Sequence, residues 1–290
     1  MDIHRLRTDG AEAAIATTGA ELQALRLGRR DLLWDAGPLW PRHAPLLFPI
    51  VGRLKDDTLR CGGAAFPMPR HGFARDRAFT LLEGTATTCT AELRDDEATR
   101  AVYPFPFQLR VAYTLGVASS RMDIALRNPG EIPLPASLGL HPAFRWPLDP
   151  DLSKTAHRLV FEADEPGPLR RLTAGGLLDP ASHPSPIQGR VLPLQDGLFD
   201  DDALIFLEPR SRSLRFEAQH GPALTLRWEG FPHLGLWAKP GPDAAFLCIE
   251  PWEGFADPAD WTGEFSEKPG SFTLPPGATR RWSLTIAVDS

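Results

Sequence analysis

The stretch Phe246-Leu-Cys-Ile-Glu-Pro-Trp-Glu-Gly-Phe-Ala-Asp257 decides how the rest of the chain is read. Four apolar residues run straight into a carboxylate, Glu250, and a proline follows at once. A short apolar run reads as a buried strand. Proline cannot donate to a ladder, so the strand is expected to end at or just after Glu250. Glu250 then lies where a dry interior meets a loop, and burial there disfavours the charged form. Such a carboxylate can act as a general base near neutral pH. It can equally be a strand-end glutamate paired with one of the many arginines.

Outward from this stretch, the chain reads as short strands. Apolar or alternating segments lie at residues 13–17, 20–27, 31–35, 79–83, 87–93, 108–115, 122–127 and 157–162, and again at 203–207, 214–218, 223–228, 234–238 and 282–288. Alternation such as Leu109-Arg-Val-Ala-Tyr-Thr-Leu fits an antiparallel sheet with one covered face. Thirty prolines and 25 glycines are too many for long helices and suit a fold built from turns. The expected class is all-β. Residues 149–196 are the least regular and read as a long surface excursion within one domain, residues 1–290. All-β domains routinely reach this size.

The net charge of −6 argues against nucleic acid and against an anionic membrane surface as partners. No apolar run approaches membrane-spanning length. The start, Met1-Asp-Ile-His-Arg-Leu-Arg, lacks the apolar core of a signal peptide. Cys61, Cys89 and Cys248 show no metal-ligand spacing, and an odd, sparse set suits a reducing cytoplasm.

Four further residues have chemistry to offer. Arg53 follows an apolar run and a glycine that allows close backbone approach. Its donors suit a carboxylate or sugar hydroxyls, or a salt bridge to a neighbouring aspartate. His71 lies in a loop setting between Arg70 and Gly72, where a site histidine or a capping one is expected. His141 precedes a proline, so its backbone stays extended. Phe144 and Trp146 behind it could face a sugar or the core. Asp200-Asp-Asp202 heads a strand and is either a solvated turn or a carboxylate at a strand mouth.

No histidine pair has helical metal spacing, no Gly-x-Ser-x-Gly elbow exists, and phosphate and dinucleotide glycine motifs are missing. What remains is proton transfer by a carboxylate and imidazoles, with neither metal nor cofactor.

Three stretches together resemble the aldose 1-epimerase (galactose mutarotase) family, in its LacX-like branch. They are Val51-Gly-Arg-Leu-Lys with Arg70-His-Gly-Phe-Ala-Arg-Asp; Gly139-Leu-His-Pro-Ala-Phe; and Leu236-Trp-Ala-Lys-Pro-Gly leading into Cys248-Ile-Glu-Pro-Trp. Their order and spacing are specific, and the resemblance runs from about residue 32 to 257. It implies a large antiparallel β-sandwich of the galactose mutarotase type with a sugar cleft on one sheet. It implies Glu250 as general base, His141 as general acid and His71 as a second active-site histidine near the sugar ring oxygen. Arg53 and Asp202 would bind substrate, although Asp200 or Asp201 could take the aspartate's place. The implied reaction is interconversion of the α and β anomers of a free hexose.

Two departures bear on the substrate. In the better-characterised galactose mutarotases the first histidine precedes two glycines, whereas here it is Arg70-His71-Gly72-Phe73. Their second histidine is not followed by proline. Arg53, Lys55, Arg70 and Arg75 could form an anion pocket, which makes a hexose-6-phosphate 1-epimerase the alternative. A non-catalytic sugar-binding protein on the same fold is the third reading.

Overall fold

The computed structural model describes residues 2–219, 221–241 and 243–288. Nearly all regular structure is β, and the α-helix among the described residues is one turn, Glu97–Arg100. A nine-stranded antiparallel sheet forms one layer. Its order is Val191–Pro193, His157–Phe161, Ser213–Ala218, Ala223–Glu229, Thr279–Val288, Ser119–Arg127, Gln108–Leu115, Thr88–Arg94 and Thr80–Gly84. A smaller sheet runs Leu204–Leu207, His233–Trp237, Phe246–Glu253, Leu138–Leu140 and Leu46–Leu47, with Ala143–Arg145 also pairing to Phe246–Glu253. One buried cluster joins the layers: Leu109, Val111 and Leu126 of the large sheet meet Leu234, Leu236, Leu247 and Ile249 of the small one. The antiparallel sheets are those expected from the alternation, and the sandwich is the one that the resemblance implies.

The central strand of the small sheet is buried along its whole length. Leu247 and Ile249 point into the sandwich, while Cys248 and Trp252 belong to apolar clusters on the opposite face. Glu250 shares that second face, because side chains two apart point the same way. Loops cover the face, so it is dry although it is not part of the inter-sheet core.

Two expectations are corrected. The strand does not end at Glu250 but continues through Pro251 to Glu253. On one side Gly235 and Leu234 pair with Glu250 and Pro251. On the other the neighbouring ladder is interrupted: Leu138 and Gly139 pair with Glu253 and Trp252, Ala143 pairs with Cys248, and residues 140–142 lie between. The Ile249 N–H donates to Pro142 at 3.2 Å, so the missing N–H of Pro251, two residues on, faces that interruption and leaves no carbonyl wanting. The segment at 149–196 is also more than a surface excursion. Arg170 bridges to Ile205 and Leu178 to Pro258, folding residues 169–178 over the outer face of the small sheet.

Phe144 and Trp146 resolve as core residues, 0% and 3% exposed.

Candidate active site

The loops over the central strand leave a cleft of about 210 Å³. Its lining includes Glu250, His141, His71, Asp202, Trp40 and Trp237. Four of the five residues singled out in the sequence therefore converge from segments up to 179 positions apart, His71 to Glu250.

Glu250 is 1% exposed and sits on the strand floor. His141 reaches the same floor because the interruption at residues 140–142 lets the chain leave the ladder and return as Ala143–Arg145. Its N–H is held by the Pro45 carbonyl at 3.1 Å. His141 Nε2 lies 3.2 Å from Glu250 Oε2. The contact is a close approach without hydrogen-bond alignment, and both Glu250 Oε2 and His141 Nδ1 are buried without a hydrogen-bond partner. Trp40 stacks on the His141 ring at 4.9 Å, and Trp237 meets it edge-on at 5.9 Å. These two indoles, which the sequence does not single out, line the cleft together with Trp252.

His71 packs edge-on against His141 at 5.7 Å. Its Nδ1 accepts from the Gly52 N–H at 3.1 Å, and its own N–H donates to the Gly52 carbonyl at 2.7 Å. That pairing leaves the ring proton on Nε2, a donor. Gly52 has φ +75°, and a Cβ there would lie 2.6 Å from the Ala256 nitrogen, so only glycine lets this strut approach. His71 and Asp202 themselves have φ of 68° and 65°. Left-handed backbone costs an L-residue about 1–2 kcal/mol. Such strain is concentrated at functional sites.

Burial dominates the electrostatics. It pushes the Glu250 carboxyl well above the usual range, and the nearby Asp202 carboxylate adds to the effect. It pushes His141 down to about 3, helped by Arg75, Arg42 and Arg70, and holds His71 well below its ordinary value. Burial in the cleft thus favours a neutral carboxylic acid and neutral imidazoles over the charged pair that free pKa values of about 4.3 and 6.5 imply. The Cys248 thiol is pushed up by burial and by Glu250. Donor atoms of His141, Cys248 and Glu250 lie within 4.8 Å of one another. Burial disfavours the thiolate and carboxylate that a metal would need from this set.

Asp202, not Asp200 or Asp201, is the member of the triple aspartate at the cleft. Its Oδ1 accepts from the Ala203 N–H at 2.7 Å. Arg53 does not line the cleft. Asp57 takes its guanidinium in a two-point pair of 2.7 and 2.6 Å, and Nη1 donates to the Gly175 carbonyl at 3.0 Å. The reading that fits is the salt bridge, with Arg53 bracing the wall that ends in Gly176. Lys55 is likewise turned away, onto the Ala259 carbonyl at 3.2 Å. Arg42, Leu172, Gly176 and Ala256 also line the walls, and nothing periodic in their loops marks them.

A family model described as aldose 1-epimerase matches residues 2–286. The chain belongs to the aldose 1-epimerase family. Within it, the chain is 28% identical to the plasmid-encoded protein LacX of Lactococcus lactis subsp. lactis, over 98% of each sequence. A galactose mutarotase related enzyme from Lactobacillus acidophilus superimposes with a TM-score of 0.89 at 30% identity, covering 100% of this chain and 98% of that one. A galactose mutarotase-like protein from Lactobacillus casei gives 0.92 at 29% identity, covering 99% and 100%. Aldose 1-epimerases are isomerases acting on sugars, and the fold of this chain is that of its galactose mutarotase-like relatives.

Proposed function

We propose that this chain is a mutarotase that opens and recloses the ring of an aldose bearing a free anomeric hydroxyl. The observation that carries the reading is the Glu250–His141 pair, 3.2 Å apart on the dry floor of a cleft. The anomeric O–H and the ring oxygen are held on one carbon, so the groups that serve them must be neighbours. Glu250 takes the anomeric proton while His141 gives one to the ring oxygen. The C1–O5 bond breaks, C1=O1 forms, and the pair is left as a carboxylic acid and a neutral imidazole. Rotation about C1–C2 and reclosure on the other face return both protons. The neutral form that burial favours is thus the form present when the ring is open. His71, with its proton on Nε2, donates a hydrogen bond near the ring oxygen, and Asp202 accepts from ring hydroxyls. Trp40 and Trp237 offer apolar faces to the sugar.

Residues 1–290 are read as one β-sandwich domain, which the family match over residues 2–286 supports. A cytoplasmic setting fits three unpaired cysteines. No helix is long and apolar enough to cross a membrane among the described residues.

Polarimetry of freshly dissolved α-glucose and α-galactose tests the reading directly. Decay of rotation no faster than in buffer, for every aldose tried, would remove it in favour of a sugar-binding protein. Asp202→Ala should raise KM about fivefold, the equivalent of one hydrogen bond of about 1 kcal/mol. Arg53→Ala should raise KM too, through the Gly175 wall, whereas Asp200→Ala and Asp201→Ala should be silent. Unaltered kinetics in both Asp202→Ala and Arg53→Ala would overturn these two assignments.

A further inference from the structure

Lys268 is 3% exposed and lies behind the wall of the cleft, outside its lining. Its Nζ donates to the Phe255 carbonyl at 2.5 Å and to that of Pro269 at 3.4 Å, and it stands over the Phe255 ring at 4.9 Å. Asp257, also 3% exposed, is the carboxylate that acts on it. Burial brings Lys268 down to about 8 against the pull of Asp257, so it stays charged at neutral pH. Burial raises the Asp257 carboxyl, and the Lys55 N–H with the charges of Lys268, Arg60 and Lys55 draws it back. The His233 ring packs on Phe255 at 5.1 Å; burial, then Lys268 and Arg212, bring it down to about 4, so it adds no charge. Buried opposite charges are costly to keep, and removing one strands the other. Nothing in the proton-transfer scheme uses either group.

The two charges bracket one residue of the cleft wall, Ala256. Before it, Lys268 holds the Phe255 carbonyl. After it, Asp257 donates its N–H to the Arg53 carbonyl at 2.9 Å, and its Oδ2 accepts from the Lys55 N–H at 2.8 Å. The Asp257 carbonyl accepts from the Leu178 N–H at 2.8 Å, which ties the segment over the cleft to the same residue. Residues 53–55 are thereby held in register, and Gly52, next in line, lies against Ala256 with no room for a Cβ. Gly52 is the residue that grips His71 at both its Nδ1 and its N–H. The contacts from the buried charges to the imidazole are thus continuous, through Ala256 and Gly52.

We propose that Lys268 and Asp257 are positioning residues for His71, fixing the Ala256–Gly52 contact that sets the place and the tautomer of its imidazole. In the mutarotase reading, on which the kinetic part of this proposal rests, His71 donates to the sugar ring oxygen.

Lys268→Met keeps the stem and removes the charge and the donor. Lys268→Met combined with Asp257→Asn removes both charges and strands neither. Nitrogen NMR of histidine-labelled protein reads the imidazole near neutral pH, where burial keeps His71 neutral, and His71→Gln assigns its signal. His71 in the parent should show one tautomer, protonated at Nε2. Both variants should lose that signature for a mixture of tautomers. His157 on the large sheet, whose Nε2 accepts from the Leu148 N–H at 3.1 Å, should keep its own. Turnover should fall at least about tenfold without a matching rise in KM, because misplacing a group by about 1 Å can cost about a hundredfold. In a His71→Gln background the same substitutions should cost little, since the group they position is gone. An unchanged His71 signature in both variants would overturn the proposal and leave the mutarotase reading standing. A change that reaches His157 equally, or an equal loss of turnover with and without His71, would mark general loosening and overturn it as well. A lost signature, in a protein whose parent mutarotates no aldose, would keep the positioning and overturn the mutarotase reading.

Discussion

Glu250→Gln should lose at least about 100-fold in turnover, and His141→Asn as much, with both variants still binding sugar. Glutamine keeps the shape and can fill the buried space, but it cannot accept the anomeric proton. Asparagine keeps polarity but cannot carry a proton near neutral pH. Ring opening needs both transfers, so the double variant should lose much less than the product of the single losses. The pH profile carries a second signature. Activity needs one proton over the pair. Free groups would give a narrow optimum between about 4.3 and 6.5. With His141 brought down to about 3 and Glu250 pushed up, the acid limb should fall far below pH 6.5 and the alkaline limb well above pH 4.5. A profile broader than that of the free groups, reaching toward pH 3 on the acid side, is expected, and an optimum confined to pH 4–6.5 would contradict the burial argument. Stability should respond in the opposite sense to activity. Glu250 has a folded pKa above its unfolded one, so its contribution is complete below about pH 4.5 and is lost as pH rises through the raised value. Glu250→Gln should therefore gain thermal stability over the wild type at pH 8 and gain less at pH 4. A folded Glu250→Gln with near-normal mutarotation would remove the base, and with it the reason to read the cleft as catalytic.

Gly72→Ala should destabilise the fold by about 3 kcal/mol, roughly a hundredfold in the folded-to-unfolded ratio. Gly72 has φ +71°, and a Cβ there would lie 2.2 Å from the Phe48 carbonyl oxygen. That oxygen accepts from the N–H groups of Phe73 at 3.0 Å and Ala74 at 3.1 Å, so moving it breaks the anchor of the whole loop. The left-handed backbone alone costs about 1–2 kcal/mol, and forced displacement of packed backbone adds about 1–3 kcal/mol. Gly62→Ala separates the two terms: Gly62 has φ +59° and open space where the Cβ would go. It should cost only the first term. Urea denaturation measures both, and equal midpoints for the two variants would refute the clash. Because Gly72 adjoins His71, the surviving folded fraction of Gly72→Ala should also turn over more slowly.

The legibility of this site in the sequence follows the physics of each residue. Glu250 was visible because a carboxylate at the end of an apolar run is costly and therefore conspicuous. The extent of its strand was misread because the rule against proline in a ladder assumes an unbroken neighbour, and here the neighbour is broken at residues 140–142. Asp202 could not be told from Asp200 and Asp201, since which of three adjacent side chains faces inward depends on the turn, and Asp202 is the one in the left-handed conformation. For Arg53 the sequence leaves a salt bridge and sugar hydroxyls both open, because the choice among Asp56, Asp57 and a sugar is made locally; the partner is Asp57. Trp40 and Arg42 were invisible because loops have no periodicity to betray which face they present. Of the expected anion pocket, Arg70 and Arg75 reach the cleft, and Arg42 stands in it where Arg53 and Lys55 were expected.

Glu250 belongs to a strand bonded on both edges and covered on both faces, whereas Arg42, Arg70, Leu172 and Gly176 belong to loops. Amide exchange at such a strand opens only with global unfolding, while loops open locally at little cost. In the proposed reaction the base, Glu250, is thus held where exchange is expected to be slow, and the cleft walls that would select the sugar lie on the more replaceable loops. Descendants of this chain can change which sugar they accept by rewriting loops, with the reaction itself inherited intact.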